Sequence, residues 1–349
     1  MGLTMFRPLL ISMFLTSTAL ADTWTVDDDG KADFDNIYLA VAAASDGDVI
    51  LVMEGTYYSS YINPHGKALL VEGETNSKGE LLVTVDGMQS GAILECYSGE
   101  GPDTIFRNLI LTNGSSYYGG GMTLFDGSSP TVENCIFHNN TGTIEGGGIY
   151  LRENCNPIIT NCRFEDNLAS GPGGGMFCIE NSNPTLTNCT FTSNTANNGG
   201  GMYNQWQSSP TLENCTFTGN TASDGGGMYN INTSSPTLTN CTFENNTAFA
   251  DGGGMFNNES SPTLADTTVC GNTPDQVYGE YIDGGENTIT DECPLGCPDI
   301  NGDGNVDVSD LLIVIAYWGS PDSLADLNQD GIVNVHDLLL LIAAWGPCE

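Results

Sequence analysis

Two segments near the C-terminus place oxygen-bearing side chains at the spacing of a calcium-binding loop. The first runs from Asp299 to Asp310, and the second, from Asp326 to Asp337, begins 27 residues later. In such loops, oxygen ligands at positions 1, 3 and 5 wrap a hard cation, and glycine at position 6 permits a sharp turn. The spacing therefore predicts two Ca²⁺ ions. The expected ligands are Asp299, Asn301, Asp303, the carbonyl of Asn305, Asp307 and Asp310 in the first loop, and Asp326, Asn328, Asp330, the carbonyl of Ile332, Asn334 and Asp337 in the second.

A second set of residues combines both signs of charge. Arg152 and Arg163 interrupt otherwise neutral positions of a repeat, and Asp166 lies close to them in sequence. An arginine base beside carboxylates that hold a cation is one arrangement for catalysis on an acidic substrate. Arg152, Arg163 and Asp166 are therefore our candidate catalytic residues. The alternative, which we favour, is a set of ion pairs on exposed turns.

Arg152, Arg163 and Asp166 belong to a sequence repeat, whose copies must position them. Six prolines mark its copies at intervals of 27, 27, 26, 26 and 26 residues: Pro130, Pro157, Pro184, Pro210, Pro236 and Pro262. A fixed period in this range indicates a solenoid. Within one copy, Cys215 and Phe217 are two residues apart and share a strand face. A left-handed bend at Asn214 would let Leu212 face inward as well.

Equivalent residues of successive parallel coils lie about 4.8 Å apart, so they should form ladders. We expect an inward asparagine ladder at the bend, formed by Asn134, Asn161, Asn188, Asn214 and Asn240. We also expect a stack of rings from Phe137, Phe164, Phe191, Phe217 and Phe243. The cysteines at one repeat position should form a buried ladder of small side chains rather than disulfide bonds between coils. They are Cys135, Cys162, Cys189, Cys215 and Cys241.

One aromatic column has two interpretations. Tyr203, Tyr229 and Phe256 each follow a methionine that we expect to face inward, and Tyr150 and Phe177 occupy the same column. Because side chains alternate along a strand, these rings should point outward. They could stack on the rings of a polysaccharide along the rod. Alternatively, each ring could simply support its neighbour in the next coil.

The sequences Asn-Cys-x-Phe-x-x-Asn and Gly-Gly-Gly-Met recur from Thr104 to Asn272. They resemble the FxxN and GGAI motifs of polymorphic outer-membrane protein repeats, which belong to adhesins built on right-handed β-helices. The segment before them contains Thr25 to Gly30, Phe34 to Ile37, Ala40 to Ala44, Val49 to Val52 and Gly55 to Tyr57. This segment resembles the entrance of pectin-esterase and pectate-lyase-like β-helices.

These resemblances imply an all-β, right-handed parallel β-helix of roughly nine coils. A short N-terminal helix, capped by Asp35, should cover its open apolar end. Pectate-lyase-like catalysis would need acids that hold calcium against a substrate carboxylate, plus an arginine or lysine base. The adjacent aspartates and His-Gly elements of polygalacturonases are absent from the sequence, as are the esterase catalytic sequences beyond the entrance.

Each calcium loop leads into an apolar helix, expected at Leu311 to Trp318 and Leu338 to Trp345. The pair resembles a type I dockerin, which implies Ca²⁺ binding, calcium-coupled folding and docking onto a cohesin-like protein. The recognition pairs, Val308-Ser309 and Val335-His336, depart from the hydroxyl-rich pairs of many dockerins. A calcium-stabilised plug or an anchoring tag is therefore the alternative. We also expect a Cys297–Cys348 disulfide to clasp this module and a Cys270–Cys293 disulfide before it.

The N-terminus and the charge balance restrict location and partners. Arg7, the apolar run from Leu9 to Leu15 and Ala19 to Ala21 are typical of a secretory signal peptide cleaved after Ala21. With 7 basic and 44 acidic residues, the chain is a poor partner for nucleic acid. We expect no membrane span. The expected segments are a signal peptide at 1–21, a β-helix at 22–290, a linker at 291–298 and a dockerin-like calcium-binding domain at 299–349.

These patterns predict a secreted calcium-binding protein, extracellular or at the cell surface, that is not an enzyme. Its expected work is attachment, adhesin-like glycan binding or presentation of a partner. The alternative is a polysaccharide lyase or glycoside hydrolase in polysaccharide catabolism, because dockerin modules usually accompany carbohydrate-active enzymes. Fold alone does not decide between the two.

Overall fold

Short parallel strands, stacked coil upon coil, build most of the protein. The structure is a computed structural model that describes residues 21–293, 298–321, 324–327 and 331–347. The chain divides into two units, Met1–Ile289 and Thr290–Glu349. The expected signal peptide, apart from Ala21, and the expected Cys297–Cys348 disulfide lie outside the described residues. In the described part of the chain, no helix is long and apolar enough to cross a membrane.

The first unit is a parallel β-solenoid of about ten turns, with sheets of 11, 10 and 8 strands. The first sheet contains Thr23–Val26, Val49–Val52, Leu70–Gly73, Ile105–Arg107, Thr131–Glu133, Ile158–Thr160, Thr185–Thr187, Thr211–Glu213, Thr237–Thr239, Thr263–Ala265 and Ile282–Asp283. The second contains Gly55–Tyr58, Val83–Asp86, Ile110–Thr112, Ile136–His138, Arg163–Glu165, Thr190–Thr192, Thr216–Thr218, Thr242–Glu244, Thr268–Cys270 and Thr288–Thr290. The third contains Leu94–Cys96, Met122–Leu124, Ile149–Arg152, Met176–Ile179, Met202–Gln205, Met228–Ile231, Met255–Asn258 and Val277–Tyr278. The expected fold class is confirmed, with about one turn more than expected.

Shorter strands lie at the corner between the second and third sheets. Ser115–Tyr118, Thr141–Glu145 and Leu168–Ala169 form a three-stranded sheet. Thr221–Ala222 pairs with Thr247–Ala248. These strands occupy the connection that runs from each buried asparagine toward the glycine triplet of the same copy.

The solenoid core consists of the ladders that the repeat predicts. Leu212, Cys215, Phe217 and Met228 are fully buried and face the same interior. The phenylalanine stack is confirmed, because the rings of Phe191 and Phe217 lie parallel with centroids 4.5 Å apart. The cysteine ladder is also confirmed, since all five members are buried and free. These five cysteines therefore fill the interior by stacking rather than by cross-linking the coils. Cys270 and Cys293, which lie outside this ladder, are disulfide-bonded.

The asparagine ladder at the bend lies outside the core, so the inward placement was wrong. Asn214 has a left-handed backbone, with φ of 55°, as expected. Its side chain is nevertheless exposed and donates to Asn188 Oδ1 at 3.1 Å. The physical reason is that the left-handed residue forms the corner itself. It turns outward so that Leu212 and Cys215 can both point inward.

A different asparagine forms the inward ladder. The fully buried Asn220 donates from Nδ2 to the carbonyl of Phe191 at 2.8 Å and to Asn246 Oδ1 at 2.9 Å. Its Oδ1 accepts from the backbone N–H and from Nδ2 of Asn194 at 3.0 Å and 2.9 Å. All four hydrogen-bonding positions of this amide are therefore satisfied. The ladder comprises Asn140, Asn167, Asn194, Asn220, Asn246 and Asn272.

The glycine triplets let adjacent coils approach closely. Gly225 has φ of 63°, which L-residues with a Cβ adopt rarely. A Cβ on Gly226 would lie 2.6 Å from the carbonyl oxygens of Gly253 and Thr247 in the next coil. The triplet is thus required by backbone contact between coils.

A helix at Ile37–Ala43 covers the N-terminal end of the solenoid. It buries Ile37, Ala40 and Val41 against the core. The N-cap is Asn36, whose side chain accepts from the Tyr38 N–H at 2.8 Å. Asp35 was therefore placed one residue too early as the cap.

The second unit has two helices, Val308–Ala316 and Val335–Ala343, in its described part. A two-residue strand at Asn305–Val306 pairs antiparallel with Gly346–Pro347. Its small core contains Val306, Val314, Ala325, Val333 and Leu341. Each helix begins with a capping box, at Asp307 and Asn334 respectively.

Candidate functional site

The first calcium loop is shaped by its own carboxylates. Asp299 Oδ1 accepts from the N–H groups of Gly302 and Asp303 at 2.8 Å and 3.2 Å, and its Oδ2 accepts from Gly304 at 2.6 Å. Asp303 Oδ1 accepts from the Asn305 N–H at 3.0 Å. These hydrogen bonds wind the backbone tightly around the acidic side chains. The expected ligands Asp299, Asn301 and Asp303 therefore lie on one short turn.

Asp310 closes this loop from the first turn of the following helix. It is fully buried, and its Oδ1 accepts from the N–H groups of Ile300 and Asn301 at 2.8 Å and 3.1 Å. Its Oδ2 accepts from the Asp307 N–H at 2.9 Å. Burial opposes the charged form, but these backbone hydrogen bonds outweigh it and lower the pKa of Asp310. The residue at position 12 is thus held as a carboxylate.

The second loop repeats this arrangement where it is described. Asp326 Oδ2 accepts from the Gly331 N–H at 2.8 Å, as Asp299 does from Gly304. The buried Asp337 accepts from the Asn334 N–H at 2.7 Å, as Asp310 does from Asp307. Two further expected ligands of this loop, Asn328 and Asp330, lie outside the described residues.

The donor chemistry of the loops fits a hard divalent cation. Carboxylate, amide and carbonyl oxygens are the groups that Ca²⁺ prefers. The described side chains do not already converge, because within the described ranges no three His, Cys, Asp or Glu residues are grouped to hold a metal ion. The ligand set therefore stays a prediction that rests on residue type and loop path.

Both helices of this unit expose apolar side chains. On the first helix these are Val308, Leu312 and Ile315, and on the second Val335, Leu339 and Ile342. The expected recognition pairs, Val308-Ser309 and Val335-His336, are exposed as well. Exposed apolar groups that recur on two helices of a small unit are typical of a protein-binding surface.

The candidate catalytic residues occupy different sheets. Arg152 ends the strand Ile149–Arg152 of the third sheet, and its Nε lies 3.0 Å from Glu180 Oε2. This hydrogen bond raises the pKa of Arg152. Arg163 begins Arg163–Glu165 of the second sheet, with Nε 3.4 Å from Glu165 Oε1. The structure therefore does not join the two arginines in one site.

Arg163 and its neighbours lie at the surface of the second sheet. Asp166 Oδ2 is 3.6 Å from Nδ1 of His138, and both side chains are partly exposed. Arg163 also lines a cleft of 380 Å³ together with Glu80 and Ile136. Arg163 thus lies beside a concave surface.

The outward aromatic column is a closed stack. The rings of Tyr203 and Tyr229 lie nearly parallel with centroids 4.9 Å apart, and Phe256 stacks on Tyr229 at 4.6 Å. Tyr203 and Tyr229 are only 7% and 8% exposed, and desolvation raises the pKa of both hydroxyls. The ring faces already contact one another, so they are not available to stack on sugars. The alternative, mutual support between coils, describes the column.

Exposed tyrosines lie instead before the regular repeat. Tyr38, Tyr58, Tyr61 and Tyr117 are 45%, 62%, 50% and 71% exposed. Sequence reasoning missed them because they share no repeat position. The sequence does show that these tyrosines are concentrated in the irregular first coils, where no ladder of equivalent residues contains an aromatic ring.

Comparisons with known proteins agree with this architecture. A family model described as the right handed beta helix region matches residues 59–217 and 195–293, and the type I dockerin domain model matches 298–344. No curated protein matches the chain. A dockerin domain implies Ca²⁺ binding, a cohesin partner and an extracellular or cell-surface location.

Two solved structures have distant likeness to the chain. Pectate lyase Pel9A is 13% identical, with 78% of each chain covered and a TM-score of 0.41. Pectin methylesterase from carrot is 12% identical, with 80% of this chain and 91% of that chain covered and a TM-score of 0.43. Neither likeness assigns an activity. The family matches, which cover most of the solenoid, show that the chain belongs to the right-handed β-helix family and carries a type I dockerin domain.

Proposed function

We propose that this is a secreted, non-catalytic β-helix protein that binds polysaccharide and is held in an extracellular assembly by its dockerin domain. The observation that carries the proposal is the paired calcium module. It combines duplicated acidic loops, a dockerin match and apolar residues exposed on both helices. The solenoid supplies a long rigid body for attachment or presentation.

Two Ca²⁺ ions would be held by the oxygen ligands of the two loops. When bound, they would neutralise the carboxylates and fix the path of each loop into its helix. Asp310 and Asp337 would contribute by joining each loop to the first turn of its helix, a role that their backbone hydrogen bonds support. The helices would then present Leu312 and Leu339 to a cohesin-like partner.

Calorimetric titration of the full chain with a panel of recombinant type I cohesin modules tests the docking. We expect binding to at least one module in Ca²⁺ and none with chelator. Leu312→Glu combined with Leu339→Glu should abolish cohesin binding while Ca²⁺ binding persists, because both side chains are exposed. Leu168→Glu, which changes an exposed leucine of the solenoid, is the matched control. Failure of every cohesin module to bind would contradict the proposal.

A lyase is the second candidate function, and the cleft beside Arg163 favours it. A base there would remove the proton from the carbon that carries a uronate carboxylate. The glycosidic C–O bond on the adjacent carbon would then break as a C=C bond forms, and the leaving oxygen would take a proton from water. The opposing charges of Arg163 and Glu80 on one cleft support this alternative.

An assay for unsaturated product ends on acidic polysaccharide, with Ca²⁺ present, separates the two functions. The non-catalytic proposal expects no turnover. Turnover that Arg163→Ala abolishes and Arg152→Ala preserves would establish the lyase instead. Arg152 is a suitable control because it lies on another sheet and pairs with Glu180.

A further inference from the structure

The first coils form a groove lined by tyrosines. Tyr38, Tyr58 and Tyr61 line a recess of 400 Å³, and Tyr61 and Tyr117 line a second recess of 240 Å³. Since Tyr61 belongs to both, the two recesses adjoin at its ring. We call this surface the tyrosine groove. Its rings come from the capping helix, from two strands and from the loop that carries Tyr61.

The ring of Tyr61 is fixed at the junction by its contacts. Its φ of 60° is a left-handed value that other residues of the solenoid share, Trp206 and Thr233 among them. The hydroxyl donates to the carbonyl of Ser90 at 3.0 Å. A Cβ on Gly91 would lie 2.3 Å from Cζ of the Tyr61 ring, so the ring packs directly on this glycine. The hydrogen bond and this packing therefore hold a half-exposed ring in one place.

The polar lining suits a hydroxyl-rich ligand. Asn36, Ser59 and Ser60 line the larger recess, and Ser115, Ser116 and Thr143 line the smaller one. Hydroxyl and amide groups both donate and accept hydrogen bonds. Flat apolar rings beside such groups match a pyranose, which has C–H faces and a rim of hydroxyls. The larger recess has the volume of an ordinary small-molecule site, and the smaller one extends it as an open surface.

The groove lacks charge in a strongly acidic protein. The whole chain has a net charge of −37, yet none of the described residues that line either recess is acidic or basic. A uronate polymer would bring one carboxylate per sugar and would find no lining cation to pair with. The lining therefore selects an uncharged saccharide over a pectic acid.

We propose that the tyrosine groove binds a neutral oligosaccharide. This inference deepens the proposed polysaccharide binding and rests on it. The groove shares no lining residue with the calcium loops or with the closed aromatic column. It replaces that column as the place where sugar rings stack.

Calorimetric titration of the full chain in Ca²⁺ with soluble hexasaccharides of cellulose, xylan and mannan, and with oligogalacturonate, tests the groove. We expect binding to at least one neutral hexasaccharide and none to oligogalacturonate. Tyr58→Ala and Tyr117→Ala should each weaken that binding about tenfold or more, because each removes an exposed stacking ring. Tyr281→Ala, which changes an exposed tyrosine near the other end of the solenoid, should leave affinity unchanged.

Each of the other outcomes would contradict a different part of the proposal. Neutral-sugar binding that neither tyrosine variant weakens would overturn the groove but leave polysaccharide binding intact. Binding to none of the sugars would overturn both, while cohesin docking is tested independently. Stronger binding to oligogalacturonate would contradict the uncharged ligand. Concentration-dependent self-association that Tyr117→Ala abolishes, without sugar binding, would make the groove a contact between two copies.

Discussion

The solenoid and the calcium module reach a stable fold by opposite routes. In the solenoid, each coil buries leucine, cysteine, phenylalanine and asparagine against the same residues of the next coil. In the module, the core has only five fully buried apolar side chains among its described residues. A core of that size gives little stability by itself. Repetition alone thus builds a large core in the solenoid, whereas we expect the module, which has only two copies of its loop and helix, to depend on Ca²⁺.

Removing the first ligand of both calcium loops should have the largest effect. Asp299→Ala with Asp326→Ala deletes the side chains that organise each loop. We expect loss of high-affinity Ca²⁺ binding and of the folded module, since ligand binding at such sites drives folding. Calorimetry measures the loss of Ca²⁺ binding, and hydrogen–deuterium exchange of Val308–Ala316 and Val335–Ala343 measures the loss of the folded module. Glu213→Ala, an exposed acid of the solenoid, should change neither.

A core deletion should lower solenoid stability strongly and leave Ca²⁺ affinity unchanged. Phe217 stacks between Phe191 and Phe243 with centroids 4.5 Å away on each side. Phe217→Ala should lower the free energy of unfolding by about 3–5 kcal/mol through lost burial and a cavity. Denaturant unfolding followed on the solenoid measures the change. If Phe217→Ala lowered the free energy of Ca²⁺ binding by as much as the free energy of unfolding, the two units would not be independent.

The two asparagine ladders provide a matched pair of variants. Asn220→Ala leaves buried partners in both adjacent coils unsatisfied, so we expect a loss of about 2–3 kcal/mol. Asn214→Gly keeps the left-handed bend and removes only an exposed amide, so the loss should stay below about 1 kcal/mol. Equal losses in denaturant unfolding would refute the inward and outward placement of the ladders.

The smallest expected effect is a pH response at the N-terminal end of the solenoid. Hydrogen bonds from the Ser45 backbone, the Trp24 indole and the Asp22 backbone lower the pKa of Asp48. Because the pKa of Asp48 is lower in the folded state, its carboxylate stabilises the fold at pH values above the ordinary aspartate pKa. That stabilisation disappears as pH falls through the folded value. The indole N–H resonance of Trp24 should therefore shift on acidification, and Asp48→Asn should remove this titration.

The sequence was most informative where it repeats. The period, the left-handed asparagine, the phenylalanine stack and the free cysteine ladder all follow from identical residues at identical positions. The inward direction of Asn214 failed because strand alternation does not hold through a corner residue. The alternation rule did place Tyr203 outward, but it carries no information on what covers an outward ring.

The irregular coils were least predictable. Tyr117 lies far from Tyr61 in sequence, and the two share a recess only because coils of unequal length stack there. The left-handed backbone of Tyr61 has no local sequence signal of the kind that Asn214 provides. The calcium loops are the opposite case, since their residue spacing alone assigns the expected ligands.

Hydrogen–deuterium exchange of the full chain, with Ca²⁺ and with chelator, tests the contrast between the two units most directly. We predict that amides of Val308–Ala316 and Val335–Ala343 are protected only in Ca²⁺. Amides of solenoid strands such as Met202–Gln205 should be protected equally in both conditions. Protection of the two helices without Ca²⁺, or loss of solenoid protection with chelator, would contradict the claim that only the module depends on Ca²⁺ to fold.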